Sequence, residues 1–177
     1  MYDVYTGFKW IANVMRENEG KKNYIGGGEE SYGFLCEDFV RDKDAVSACV
    51  ILAEIAAWAK DQGLSLYQLL QKIYVEYGFS KEKGISVVKK GKSGAEEIEA
   101  MMKKFRENPL TEIAGSKVTY FYDYSTLKGK DYAENETVTL DMPTTSNVLQ
   151  YFTEDNTKVS IRPSGTEPKI KFYCEVH

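Results

Sequence analysis

The chain has 177 residues with 23 basic and 27 acidic side chains, a formal net charge of −4 and a pI near 5.2. This balance leaves no broad basic face, so nucleic acid is not an expected partner. Hydrophobic residues make up 42% and no apolar run is long and uniform enough to span a membrane, so a membrane partner is not expected either.

The N-terminal part of the chain predicts an α/β arrangement. A helix begins at Thr6 or Gly7 and continues to about Glu19, before Gly20. A short strand over residues 23–25 then leads into a run of glycines.

Two further helices are predicted before residue 80. Asp42 or Asp44 can cap a helix over residues 45–60, which is apolar on nearly all sides and is therefore expected to be deeply buried. Ser65 and Gln68 have the spacing of a capping box for the helix that follows.

The composition changes after Phe79, where residues 81–84 form a polar connector. We place a domain boundary there, which divides the chain into residues 1–79 and residues 80–177. The fold class predicted is an α/β partial domain followed by an α+β domain, in which helices pack on one face of an antiparallel sheet.

The second part begins with a strand at residues 85–88 and a helix for which Ser93 and Glu96 form a capping box. Asn108 and Pro109 end that helix. Its core face carries apolar residues at helical spacing: Ile98, Met101, Met102 and Phe105.

Strands dominate the remainder of the chain. Alternation along the last strand puts Lys169 on the face opposite to Ile170 and Phe172, beside the loop that precedes the strand. The predicted strands cover residues 118–124, 137–141, 147–152, 158–162 and 170–176.

The stretch Arg-Pro-Ser-Gly-Thr-Glu-Pro-Lys, which begins at Arg162, carries the strongest chemical signal. Arg162 offers a planar fork of donors and Lys169 a point charge. Ser164 and Thr166 add hydroxyl donors, and Gly165 lets backbone amides turn inward around an anion. A polar turn between strands is the alternative. Four kinds of donor within so few residues favour phosphate binding.

A second loop, over residues 26–33, reads Gly-Gly-Gly-Glu-Glu-Ser-Tyr-Gly. The carboxylates of Glu29 and Glu30 can accept hydrogen bonds from adjacent sugar hydroxyls, and Ser31 adds a further partner. Solvated glutamates on an ordinary loop explain this pattern equally well, so the loop alone does not decide its function.

Cysteine and histidine usage argues against disulfides and metal ligands. The cysteines at positions 36, 49 and 174 are far apart and odd in number, which favours reduced thiols in the cytoplasm. The lone His177 provides neither a histidine metal site nor a Ser-His-Asp triad. We therefore predict no metal site in this chain.

Three motifs taken together resemble the α-D-phosphohexomutase family, and most of all its phosphoglucomutase and phosphopentomutase branch. Their order and spacing agree across nearly the whole chain. They are Thr-Gly-Phe-Lys-Trp-Ile at residues 6–11, Gly-Glu-Glu-Ser-Tyr-Gly-Phe at 28–34 with Val-Arg-Asp-Lys-Asp-Ala at 40–45, and Arg-Pro-Ser-Gly-Thr-Glu-Pro-Lys-Ile-Lys-Phe-Tyr at 162–173.

The resemblance implies a fold and an activity. Members of this family have three related α/β domains and a smaller, mobile fourth domain around one cleft. They interconvert glucose 1-phosphate and glucose 6-phosphate, or related phosphosugars, through a phosphoserine and a bisphosphorylated sugar that serves as intermediate and activator. Mg²⁺ helps to stabilise the transferring phosphoryl group.

The resemblance also implies roles for residues in each loop. Glu29 and Ser31 would contact sugar hydroxyls, Glu30 belongs to the same motif, and Lys9 would reach the substrate from the start of its helix. The residues expected to bind the non-reacting phosphate are Arg162, Ser164, Gly165, Thr166 and Lys169.

The family's active-serine loop and its magnesium loop are not found in this sequence. We therefore expect a C-terminal fragment that has no nucleophile, is inactive alone and depends on N-terminal domains that would bind Mg²⁺. An open apolar edge of its incomplete domain is expected to favour self-association.

Three alternatives stay open. The family also contains phosphomannomutases and phosphopentomutases. A stand-alone phosphosugar-binding module would use the same two loops. An interaction protein could dock a partner on the aromatic strand at residues 120–124, although an aromatic stripe of this kind is more typical of a sheet core.

Overall fold

The computed structural model describes residues 1–89, 91–165 and 167–177 and divides the chain into two compact units, Met1–Glu76 and Tyr77–His177. The first combines helices with a short ribbon and the second is built on an antiparallel sheet, which confirms the predicted fold class. Over the described residues, no helix is both long and apolar enough to cross a membrane. The three cysteines are free thiols.

The first unit has a small core along one side of its first helix. Phe8, Met15 and Leu35 are buried together, and Ile11 and Tyr24 pack against them. The elements are α1 (Phe8–Glu17), β1 (Gly26–Gly28), β2 (Phe34–Cys36), α2 (Ala45–Asp61) and α3 (Leu66–Tyr77), with β1 and β2 paired antiparallel.

The caps predicted at the N-termini of α2 and α3 are confirmed. The Asp44 carboxylate accepts hydrogen bonds from the backbone N–H groups of Val46 and Ser47, at 3.1 and 3.0 Å. These hydrogen bonds lower the pKa of Asp44, and the bond from the Ser47 amide has the largest effect. Ser65 and Gln68 bond reciprocally, at 2.8 and 3.2 Å, as a capping box.

The predicted deep burial of α2 is wrong. Val46 is 74% exposed and Trp58 is 55% exposed, whereas Ala59 is fully buried. In this unit α2 contacts the short strand β2, and a three-residue strand is too small to cover every side of a 17-residue helix. The strand predicted at residues 23–25 is also displaced, because β1 begins at Gly26.

In the described part of the second unit, eight strands form a sheet in which all pairs are antiparallel. Its strand order is β3-β10-β9-β8-β5-β6-β7, with β4 paired to the start of β5. The elements are β3 (Lys81–Val88), α4 (Gly91–Glu107), β4 (Glu112–Ile113), β5 (Ser116–Asp123), β6 (Lys128–Asp131), β7 (Glu136–Thr139), β8 (Leu149–Thr153), β9 (Lys158–Pro163) and β10 (Lys169–Val176).

Helix α4 covers one face of this sheet. Ile98 and Met102 are buried among strand residues, and Met101 and Phe105 pack at the margin, which confirms the predicted core face. The hydroxyl of the buried Tyr151 donates to the carbonyl of Phe105 at 3.1 Å and ties the sheet to the helix. Burial raises the pKa of Tyr151 to about 12, so this donor stays protonated at neutral pH.

Two local predictions in this unit are wrong. Residues 81–84, predicted as a connector, form the first half of β3 and pair with β10. A charged sequence suits this position because β3 is an edge strand, and lysines protect an edge from further pairing. Ser93 and Glu96 do not cap α4, because the helix begins at Gly91 and includes both.

Candidate functional site

The connection between β9 and β10 is a tight loop closed by its own backbone. The amide of Ser164 donates to the carbonyl of Lys169 at 2.8 Å, and the amide of Lys169 donates to the carbonyl of Glu167 at 2.7 Å. The amide of Glu167 donates to the Ser164 hydroxyl at 3.3 Å. The predicted ligand Thr166 lies outside the described residues.

The loop is also supported from the β3–α4 connection. The amide of Lys89 donates to the carbonyl of Pro168 at 2.8 Å. Gly94, buried near the start of α4, packs so closely on Lys89 that an added Cβ would lie 2.5 Å from its carbonyl carbon. The position of the loop is therefore coupled, through Lys89, to the close contact between Gly94 of α4 and the Lys89 backbone.

Arg162 lies in β9, and its side chain contacts Tyr173 of β10. The Arg162 Nη2 donates to the Tyr173 hydroxyl at 3.0 Å, and the guanidinium lies 5.9 Å from the centroid of the tyrosine ring. Lys171 is the cross-strand partner of Arg162, and its Nζ lies 5.7 Å from the same centroid. Two cations therefore contact one aromatic ring beside the loop.

Lys169 forms an ion pair with Glu167 within the loop. Hydrogen bonding from Lys169 lowers the pKa of Glu167, so this carboxylate is ionised at neutral pH. Sequence reasoning included Lys169 and missed its acidic neighbour. The sequence could have indicated this ion pair, since Glu167 is the one acidic residue of the motif and lies two positions before Lys169.

A groove of about 890 Å³ lies between the loop and α4. Ser164, Gly165 and Lys169 line it, whereas Arg162 is not among its described lining residues. A Cβ added to Gly165 would meet no atom of the described residues within 4 Å. Crowding inside the protein therefore does not require glycine here, and the exposed backbone is open to close approach by a ligand.

The glycine-rich loop connects β1 and β2. The amide of Glu29 donates to the carbonyl of Gly33 at 2.8 Å, and that of Tyr32 donates to the carbonyl of Glu29 at 3.2 Å. Tyr32 has a φ of 68°, in the left-handed region that non-glycine residues seldom occupy. The turn presents Glu30 and Ser31 as exposed residues at its tip.

The first motif meets this loop at the start of α1. The backbone N–H of Gly7 donates to Oε1 of the half-buried Glu29 at 3.0 Å, where the helix dipole also favours a carboxylate. Lys9 is exposed two residues later, with its Nζ 5.1 Å from the Trp10 ring. The structure thus brings the beginning of the helix that carries Lys9 to Glu29.

Lys43 is a neighbour of this loop that sequence reasoning did not assign. A Cβ added to Gly33 would lie 2.9 Å from Lys43 Cδ and 2.6 Å from Glu29 Oε2, so the three residues are close together. Lys43 stands in the Val-Arg-Asp-Lys-Asp-Ala motif, which could have indicated it. Its Nζ lies 3.2 Å from Asp42.

Comparison with known families gives matches that include both loops. Residues 1–77 match the family model described as phosphoglucomutase/phosphomannomutase, alpha/beta/alpha domain III, and residues 85–177 match the C-terminal domain of the same family. The chain belongs to the phosphoglucomutase/phosphomannomutase family. The two matches come in the chain order that the resemblance predicted.

Relatives with assigned names point the same way. The chain is 38% identical over 175 residues to a phosphoglucomutase of Staphylococcus haemolyticus and 40% identical over 174 residues to one of Staphylococcus aureus. These alignments cover 99% and 98% of the chain but 32% and 31% of the relatives. The chain therefore spans about a third of their length.

One solved structure shows the same fold. It is the open form of pp63/parafusin, an exocytosis-sensitive phosphoprotein of Paramecium that is described as a phosphoglucomutase. The match has a TM-score of 0.58 at 18% identity and covers 97% of this chain and 28% of that one.

The described residues do not offer a magnesium site. They contain no group of three or more His, Cys, Asp or Glu side chains placed to hold a metal ion. No magnesium ligand is therefore assigned among the residues that the structure describes.

Proposed function

We propose that this chain is the sugar- and phosphate-binding part of a phosphoglucomutase-type isomerase, an intramolecular phosphotransferase that interconverts glucose 1-phosphate and glucose 6-phosphate. The observation that carries the proposal is the loop between β9 and β10. It is closed by backbone hydrogen bonds, exposes Gly165, and has Arg162 and Lys169 at its two ends.

The loop has the chemistry of an anchor. Arg162 and Lys169 supply positive charge, Ser164 and Thr166 supply hydroxyls, and Gly165 supplies accessible backbone. In a mutase the phosphate that does not react must be held in both orientations of the sugar. A set of donors without a general base suits that task, and we assign these five residues to phosphate binding.

The glycine-rich loop is the proposed contact for the sugar. Glu29, Glu30 and Ser31 supply acceptors for hydroxyl groups, and Lys9 adds a cation from the start of α1. The hydrogen bond from Gly7 to Glu29 supports this assignment because it links the two motifs. Residues 1–79 and 80–177 would correspond to the third and fourth domains of the enzyme.

The remaining requirements of the reaction are assigned to the rest of the enzyme. We propose that its N-terminal domains hold the phosphoserine and Mg²⁺, which would stabilise charge on the transferring phosphoryl group. A sugar bisphosphate would be the intermediate and activator, and the cytoplasm the compartment. The residues of this chain would bind and orient the phosphosugar.

An NMR titration with glucose 1-phosphate and with glucose 6-phosphate tests this proposal. We expect both ligands to shift the backbone amides of residues 162–169 in a saturable way, because the anchor accepts phosphate at either end of the sugar. Glucose without phosphate is the control and should leave these amides unchanged. Saturation by only one of the two phosphosugars, or by neither, would contradict the proposed role.

Phosphomannomutase is the second candidate, since the matching family models carry both names. Mannose 1-phosphate differs from glucose 1-phosphate only in the configuration of one hydroxyl group. The loop between β9 and β10, which is proposed to hold the phosphate, would not sense this difference. Stronger effects of mannose 1-phosphate on the amides of residues 29–31 would favour this alternative over glucose.

A further inference from the structure

We infer that Tyr173 is a positioning residue for the phosphate anchor: it fixes the Arg162 guanidinium through its hydroxyl and its ring, and so sets the affinity of the loop for phosphate. This inference rests on the proposed function of the loop. It concerns a residue in the middle of β10, outside the group of residues assigned to bind phosphate.

Two separate contacts support the inference. The Tyr173 hydroxyl accepts a hydrogen bond from Nη2 of Arg162 at 3.0 Å, and the guanidinium lies 5.9 Å from the ring centroid. The hydrogen bond fixes the direction of one donor, and the ring attracts the cation as a whole. A guanidinium held in this way loses less rotational freedom when an anion binds.

The strand register explains why a tyrosine is useful at this position. Arg162 on β9 lies directly opposite Lys171 on β10, and like charges opposite each other destabilise a sheet. Tyr173 lies on the same face as Lys171, and its ring contacts both cations. The ring offsets part of the repulsion and keeps two positive charges together, an arrangement that favours an anion.

The half-buried state of these side chains strengthens the contact. Arg162, Lys171 and Tyr173 are all of intermediate exposure. Electrostatic contacts at partly buried positions are screened less by salt than those at the surface. The Tyr173 contact therefore acts on the orientation of Arg162 more strongly than a fully exposed pair would.

The test uses inorganic phosphate as the probe and the variants Tyr173→Phe and Tyr173→Leu. We expect Tyr173→Phe, which keeps the ring, to weaken phosphate binding about threefold, and Tyr173→Leu to weaken it about tenfold. Tyr120→Phe is the matched control, since Tyr120 is a half-buried tyrosine of β5 whose ring contacts are with Tyr122 and Phe152. It should bind phosphate like the wild type.

A double-mutant cycle separates positioning from a general structural role. In an Arg162→Ala background, Tyr173→Phe should have no further effect on phosphate affinity, because the group that it orients is gone. Equal losses in both backgrounds would show that Tyr173 acts on the fold and would overturn the inference.

A second measurement needs no ligand. The Nε–H signal of Arg162 in a nitrogen–proton NMR spectrum should report a restrained guanidinium in the wild type and faster rotation in Tyr173→Phe. Identical signals would overturn the inference while leaving the proposed function intact. Absence of saturable phosphate binding by the wild type would instead refute the proposed function, and with it the role of Tyr173 in affinity.

Discussion

At the scale of single residues, the sequence indicated the donors that are proposed for the loop between β9 and β10, but not the contacts that hold them. Residue type alone shows that Arg162 and Lys169 can attract an anion. The hydrogen bond from Arg162 to Tyr173 depends on the register between two strands, and the ion pair of Lys169 with Glu167 depends on the shape of the loop. Both are properties of the folded chain.

Glu167 is expected to compete with phosphate for Lys169. Replacement of Glu167 by Gln should raise phosphate affinity about twofold to threefold, because an exposed ion pair is weak and its loss releases one cation for the ligand. Because the pKa of the Glu167 carboxylate is lowered, Glu167 is ionised and competes with phosphate at neutral pH. The competition is lost only as the pH falls through that lowered pKa.

Titration calorimetry with inorganic phosphate measures this effect. Glu154→Gln is the control, since it removes one negative charge from the exposed turn between β8 and β9. An unchanged or lower affinity of Glu167→Gln relative to the control would show that Glu167 supports the loop and does not compete.

At the scale of elements, periodicity located α1, α2, α3, α4 and most strands of the second unit, because each carries an apolar pattern or a turn signal. It missed the strands β2, β4 and β6, which are two to four residues long. It also read the charged half of β3 as a connector, because pairing with β10 uses backbone groups that leave no trace in the side-chain pattern.

The close approach of α4 to the β3–α4 connection gives an element-scale prediction. Gly94→Ala should destabilise the protein by about 1–3 kcal/mol, because the new methyl group would meet the backbone of Lys89. It should also shift the amide of Lys169, since Lys89 bonds to Pro168 within the loop. Thermal unfolding and an amide NMR spectrum measure both effects.

Ser93→Ala is the control for that experiment, because Ser93 is the exposed neighbour of Gly94 in the same helix. It should change stability by less than about 0.5 kcal/mol. If Gly94→Ala were as stable as this control and left the loop amides unchanged, the packing of α4 would not position the loop.

At the scale of the whole molecule, each of the two units carries one of the two family-specific loops. The order of motifs along the chain predicted the order of the two family matches. The burial of α2 could not be predicted in the same way. The apolar sequence of α2 indicates that the helix needs a surface to cover it, but it does not indicate whether that surface is present. The first unit provides only the short ribbon of β1 and β2.

We expect the purified chain to show no mutase turnover by itself, because its residues are proposed to bind sugar and phosphate and none is proposed to accept a phosphoryl group. A coupled assay that follows the formation of glucose 6-phosphate from glucose 1-phosphate measures this. The Staphylococcus haemolyticus relative is a suitable positive control. Turnover above that of a mock preparation would contradict the division of roles.

The two loops are expected to differ in their share of binding energy. Arg162→Ala should weaken glucose 6-phosphate binding about tenfold or more, because it removes a charged donor. Glu29→Ala should have a smaller effect, since it removes acceptors for neutral hydroxyls. Equal losses of affinity for the two variants would count against this order.

The most direct test of the central claim, that the loop between β9 and β10 binds phosphate, is calorimetry of glucose 6-phosphate with wild type, Arg162→Ala and Lys158→Ala. Lys158 is a cation of the same strand that pairs with Glu175. We predict saturable binding that Arg162→Ala weakens and Lys158→Ala preserves. Equal affinity of all three proteins would contradict the claim, because a phosphate held by this loop must sense the loss of Arg162.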